Sequence, residues 1–128
     1  MLKVLVIEDE KYLINILKDI LHHLGFKVST ATSKSEAIKK IKKSDFHFVL
    51  LDLFLQGGNA KESKNYLKNI HLNKPVIIMS GSGSNEISFK GISPFAFLHK
   101  PFGIEELKYV INKVEDKYFR MEKKLLLN

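Results

Sequence analysis

The run FHFVLLDLFL, residues 46–55, is apolar almost throughout and is broken by one carboxylate, Asp52. Its length and composition are those of a strand covered on both faces, as in a parallel sheet lying under helices. Burying a charge in such a run costs free energy unless a neighbour compensates it. Asp52 therefore marks a place where packing yields to function. Working outward, LKVLVI (2–7) and PVIIMS (75–80) are apolar runs of the same kind, and the first stops at Glu8 and Asp9. FKVST (26–30) and PFAFLHK (94–100) complete five short strands.

Between these runs the period changes. Leu13, Ile14, Leu17, Ile20, Leu21 and Leu24 recur at three- and four-residue spacing as far as Gly25, a residue suited to the position just past a helix end. From Ser33 to Lys43, Ala37, Ile38 and Ile41 share one side and lysines the other. Ala60, Ser63, Leu67 and Ile70 mark a third helix, residues 84–91 a short fourth, and Ile104 opens a long last one. Strict alternation of strand and helix over short connections requires right-handed crossovers and a parallel sheet with helices on both faces. The class is α/β.

A chain of 128 residues carries one domain, and 45% hydrophobic content with nine Phe supplies a core without disulfides or metal. The absence of Cys excludes thiol nucleophiles, Cys-ligated zinc and iron–sulfur clusters, and fits a reducing compartment such as the cytoplasm. MLKVLVIEDE holds three acids and no signal-peptide core, and no apolar run approaches membrane-spanning length. No membrane association is expected. The net charge of +7 comes mostly from Lys, densest at Lys39, Lys40, Lys42 and Lys43, with Arg120 the single Arg. Base readout leans on Arg, so direct nucleic-acid binding is not expected.

In an open parallel sheet the functional crevice lies beyond the carboxyl ends of the strands. There the sequence places Glu8 and Asp9 from the first strand, Asp52 from the third, Ser80 from the fourth, and Lys100 with Pro101 from the fifth. Clustered carboxylates repel one another unless a cation sits among them, and an all-oxygen set suits Mg²⁺ rather than zinc. A carboxylate beside Mg²⁺ is a competent nucleophile toward phosphorus, with Lys100 and Ser80 placed to serve the phosphoryl group.

These residues resemble the receiver domains of bacterial two-component response regulators, over about residues 2–120. The acid pair Glu8-Asp9, the acceptor position at Asp52, the hydroxyl of Ser80 and the pair Lys100-Pro101 all match, and Phe97 falls where the family carries its aromatic switch. The resemblance implies a flavodoxin-like (βα)5 doubly wound sheet of strand order 2-1-3-4-5, and a single receiver domain over 1–128 whose last helix reaches about 125. It implies Mg²⁺ held by Glu8, Asp9, Asp52 and the backbone carbonyl of Phe54. It also implies phosphoryl transfer to Asp52 from the phosphohistidine of a sensor histidine kinase or phosphotransfer protein, with catalysis limited to the domain's own phosphorylation and dephosphorylation. Ser80 and Phe97 would then reorient and remodel the face of the fourth helix, fifth strand and fifth helix, for a downstream protein target or a homodimer. A cis Lys100–Pro101 bond belongs to the same pattern. After Asp52 the chain departs from it, with Gln56 in place of Pro and Ala60 in place of Gly, although Asn59 is kept. Phe54 and Ser82 occupy the positions that tune dephosphorylation. Phe54 cannot hydrogen-bond water, which implies slow loss of the acyl phosphate.

Each residue also has a plainer reading. Acids after a strand favour a helix N-terminus, so Asp9 or Glu10 could cap the first helix. Ser80 sits in a turn-rich SGSGSN, Lys100 alone would be solvated, and the alternation of Phe95, Phe97 and Leu98 reads as core packing. The five His show no metal-ligand spacing. GSGSN lacks the Lys-Ser/Thr ending of a phosphate-binding loop. A phosphorylation-independent binding module is the alternative function. An Asp-nucleophile phosphohydrolase would need a second Asp where Phe54 stands. In the last helix, Ile104, Leu107, Ile111, Val114, Tyr118, Met121 and Leu125 form a heptad-like stripe. Its first half suits packing on the sheet; its second half runs past what the core needs and reads as a partner or dimer seam ahead of a linker or a surface helix.

Overall fold

Alternation along each strand divides the interior into two cores, one on each face of a five-stranded parallel sheet. The computed structural model describes residues 2–53, 55, 65, 74–81 and 94–127. Their order is β1 (Lys3–Ile7), α1 (Lys11–His23), β2 (Lys27–Ala31), α2 (Lys34–Lys43), β3 (Phe48–Asp52), β4 (Val76–Ser80), β5 (Ala96–His99) and a C-terminal helix (Ile104–Leu127). All pairings are parallel and the strand order is β2-β1-β3-β4-β5. Val4, Val6, Phe48 and Leu50 go to the face covered by Leu17 and Leu21 of α1 and by Leu107, Ile111 and Val114 of the C-terminal helix. Leu5, Ile7, Val49 and Leu51 go to the face covered by Ala37, Ile38 and Ile41 of α2. Because Val4–Ile7 of β1 and Phe48–Leu51 of β3 are buried on both faces, these stretches read as continuous apolar runs.

The strands are shorter than the apolar runs that announced them. Phe46, Leu53 and Leu55 are buried outside β3, so the loops flanking that strand carry part of the core. Phe26 precedes β2 rather than opening it, with its ring edge-on to Phe48 at 5.4 Å between centroids. Helix α1 ends as its sequence indicates: Leu24 is its C-cap and Gly25 follows at φ +95°, a conformation costly for a residue with Cβ. Its start corrects an expectation. Glu10 stands at the N-cap and makes no side-chain capping bond. Of the expected third helix only Asn65 is described, helical and exposed, and the expected fourth helix lies outside the described residues.

The C-terminal helix is 24 residues long, about 36 Å at the usual rise. Its buried residues end at Val114. Tyr118 is half-buried, donates its hydroxyl to the carbonyl of His47 and sets its ring edge-on to that imidazole. Beyond it Leu125, Leu126 and Leu127 are exposed. No described helix is long and apolar enough to cross a membrane.

Candidate functional site

Strand register assembles the site. Val4 to Ile7 of β1 run beside Phe48 to Leu51 of β3, so the next residues along the two strands are Glu8 and Asp52. Ser80 ends β4 opposite His99 of β5, which puts Lys100 one residue past the ladder, and the Lys100 amide donates to the Ser80 carbonyl at 2.7 Å. Asp9 follows Glu8 toward solvent. Four strands thus deliver two acids, a hydroxyl and an amine to one edge, and the third acid leads into α1.

Glu8, Asp52 and Ser80 are buried at this edge, while Asp9 is exposed. Glu8 is 1% exposed, Asp52 5% and Ser80 0%. One carboxylate oxygen from each of Glu8, Asp9 and Asp52 lies within 4.8 Å of the others. Lys100 Nζ donates to Glu8 Oε2 at 2.7 Å, within the range of charge-assisted bonds, and lies 3.5 Å from Asp52 Oδ2. The Glu10 amide donates to Glu8 Oε1 at 3.3 Å. Ser80 Oγ is buried with no hydrogen-bond partner among the described residues. The Lys100–Pro101 bond is cis.

Burial raises the Glu8 carboxyl; the Lys100 hydrogen bond opposes this, the charge of Asp52 reinforces it, and the pKa stands at about 7 instead of 4.5. Burial also works against the Lys100 ammonium, but the bond to Glu8 and the charge of Asp52 outweigh it and its pKa is raised. Among the described residues, three convergent carboxylates beside the Lys100 ammonium make an oxygen-rich, acidic set that suits a hard divalent cation. The donor set therefore fits Mg²⁺.

Phe97 corrects the packing expectation. It is 42% exposed and lines, with Leu98, Tyr109, Val110 and Lys113, a groove of about 530 Å³ between β5 and the C-terminal helix. Glu8, Asp9, Asp52 and Lys100 come together as the sequence indicated, and Ser80 ends the neighbouring strand. Phe54, Gln56, Asn59, Ala60 and Ser82 lie outside the described residues. Sequence reasoning missed that Lys100 bonds to Glu8 and stands farther from Asp52. The only available signal was a Glu in the first acid position, whose extra methylene lengthens its reach.

A doubly wound parallel sheet with buried acids at its carboxyl edge, beside a lysine and a hydroxyl, defines a class of phosphoryl-accepting switch. Residues 4–112 match the response regulator receiver domain family, and the chain belongs to it. It is thereby a phosphoacceptor domain of two-component signalling. It is similar to the chemotaxis protein CheY of Thermotoga maritima, 28% identical over 88% of this chain and 96% of that one. A putative NtrX-like response regulator of Rickettsia bellii is 28% identical over 88% of this chain and 24% of its own length. Among solved structures, a response regulator receiver domain protein from Clostridium thermocellum superposes with a TM-score of 0.77 at 26% identity, covering 98% of this chain and 99% of that one. The chain spans about a quarter of the length of the NtrX-like relatives it matches.

Proposed function

We propose that Asp52 is the phosphoacceptor, that its donor is the phosphohistidine of a sensor histidine kinase or phosphotransfer protein, and that residues 1–128 act as one receiver domain. A carboxylate oxygen of Asp52 attacks phosphorus, the bond from phosphorus to the imidazole nitrogen breaks, and the imidazole leaves as the acyl phosphate forms. Glu8, Asp9, Asp52 and the backbone carbonyl of Phe54 would hold Mg²⁺, which when bound would supply charge neutralisation to the phosphoryl oxygens. Lys100 donates to one of those oxygens and Ser80 to another. The Ser80 hydroxyl, buried without a partner among the described residues, gains an acceptor this way. Phe97 responds on the groove side, and the face it shares with the C-terminal helix presents the altered surface to a downstream protein. Catalysis in this reading is confined to the domain's own acyl phosphate.

The observation that carries the reading is the carboxylate cluster: three acids with an oxygen each within 4.8 Å of the others, two of them buried, beside the Lys100 ammonium. Intact mass spectrometry after incubation with Mg²⁺ and a small phosphodonor such as acetyl phosphate tests it. A single phosphoryl adduct that requires Mg²⁺ and is absent in Asp52→Asn is expected. An adduct that persists in Asp52→Asn moves the acceptor elsewhere, and no adduct together with no Mg²⁺ binding favours a phosphorylation-independent binding module.

A further inference from the structure

At the amino edge of the sheet, opposite the acid pocket, a half-buried histidine joins three elements. His47 immediately precedes β3 and is tied to the start of β1 twice: its amide donates to the Lys3 carbonyl at 2.8 Å, and its Nδ1 accepts the Lys3 amide at 2.9 Å. An imidazole nitrogen thus takes the amide hydrogen that a backbone carbonyl would take in a continuing parallel ladder. On its other side the His47 carbonyl accepts the Tyr118 hydroxyl, and the two rings stand edge-on with centroids 5.2 Å apart. Tyr118 is the last side chain of the C-terminal helix to be covered at all; every described residue beyond it is exposed. The seat of that helix end on the sheet therefore runs through His47.

A ring nitrogen that accepts an amide hydrogen carries no proton of its own, so this geometry requires the neutral imidazole. Charging the ring would put a hydrogen on Nδ1, aimed at the Lys3 N–H. We propose that His47 is an acid-sensitive clasp: neutral, it seats Tyr118 and the end of the C-terminal helix against the amino edge of the sheet, and protonation releases them. The charged ring turns away from the Lys3 amide and gives up its edge contact with Tyr118. The surroundings hold the clasp closed near neutral pH, since burial lowers the His47 pKa, the positive charges of Lys74, the amino terminus and Lys3 lower it further, and Asp45 alone among these charges opposes them. On the helix side the group that faces the ring is Tyr118, whose pKa burial raises, so its hydroxyl stays a donor throughout. The clasp lies at the opposite edge from Glu8 and Asp52 and stands whether or not Asp52 is the phosphoacceptor. It determines whether the helix beyond Val114 leaves the sheet in a fixed direction.

An NMR titration of the whole chain between about pH 8 and about pH 5, the range in which histidine changes charge, tests this. The His47 ring signals are expected to titrate below the ordinary value of 6.5. At the same midpoint the Tyr118 ring signals should shift, and the hydrogen-exchange protection factor of the Lys3 amide should fall by about fivefold, the size of one hydrogen bond. Glu8 acts in the opposite sense, because its proton stabilises the fold, so protection lost on acidification belongs to His47. His47→Asn supplies the control: its side-chain oxygen can take the Lys3 amide and does not titrate. In that variant the Lys3 amide should stay protected and the Tyr118 signals should stay still across the range. An acid step that persists in His47→Asn overturns the clasp. So does a wild type in which His47 titrates while Lys3 and Tyr118 do not follow, which would leave the ring a filler of the sheet edge. Should His47→Asn fail to fold, the wild-type titration decides alone.

Discussion

A carboxylate that is 1% exposed and adjoins a second buried carboxylate lowers its energy either by holding a proton or by holding a cation. Glu8 has both outlets, and pH decides between them. With its pKa at about 7 against an ordinary 4.5, folded metal-free protein retains a proton that the unfolded chain has released. This contribution to stability is complete below about pH 4.5 and is lost as pH rises through about 7. Lys100 stays charged across that window, since its pKa is raised. Urea unfolding in a chelator should therefore show stability falling by about 1 to 2 kcal/mol between about pH 5 and about pH 8. The fall should shrink in Asp52→Asn, where one repelling charge is gone, and disappear in Glu8→Gln. With saturating Mg²⁺ the same rise in pH should stabilise the protein, because the ionised carboxylate is the ligand. A pH profile unchanged by Glu8→Gln would mean that another group titrates.

The elements differ in how openly the sequence declares them. Burial on both faces makes Val4–Ile7 of β1 and Phe48–Leu51 of β3 continuous apolar stretches, so both strands announce themselves, along with the acids at their ends. Edge strands are less explicit: β2 has one fully buried residue, Ala31, and β5 one, Leu98. Their limits are set by pairing with a neighbour rather than by local pattern. The reading of Phe97 as packing alone fails for the same reason, because β5 lies at the edge of the sheet and Phe97 lines a groove. The contact of Lys100 with Glu8 spans 92 positions and has no local signature. Helix α2, by contrast, is fixed by its own first turn. Ser33 Oγ accepts from the Glu36 amide at 3.2 Å while Glu36 Oε2 accepts from the Thr32 amide at 3.1 Å, a reciprocal arrangement close to a capping box. Ser33→Ala should cost about 1 kcal/mol in chemical denaturation. Mg²⁺ affinity should be unchanged, since α2 covers the opposite core from α1 and the C-terminal helix and contributes no candidate ligand.

At the scale of the whole molecule, two cores share one sheet, so neither can lose its strands without exposing the other. The C-terminal helix belongs to this unit only in part. Leu107, Val110, Ile111 and Val114 are buried against the sheet, Tyr118 adds the His47 contact, and from there on the apolar side chains are exposed, Leu125 at 74% and Leu126 at 87%. Burial rather than helix length should therefore set stability. Removing residues 121–128 should leave the urea midpoint and the cooperativity of unfolding unchanged and Mg²⁺ affinity intact. Truncating one turn of packing instead, with Val114→Ala, opens a void beside a fully buried position and should cost about 2 kcal/mol. Tyr118→Phe, which removes the hydroxyl donated to His47, should fall between the two, at about 1 kcal/mol. If the 121–128 deletion lowered the midpoint as much as Val114→Ala, the distal half of the helix would have to be covered in solution, and a concentration-dependent midpoint would identify the cover as a second copy of the chain.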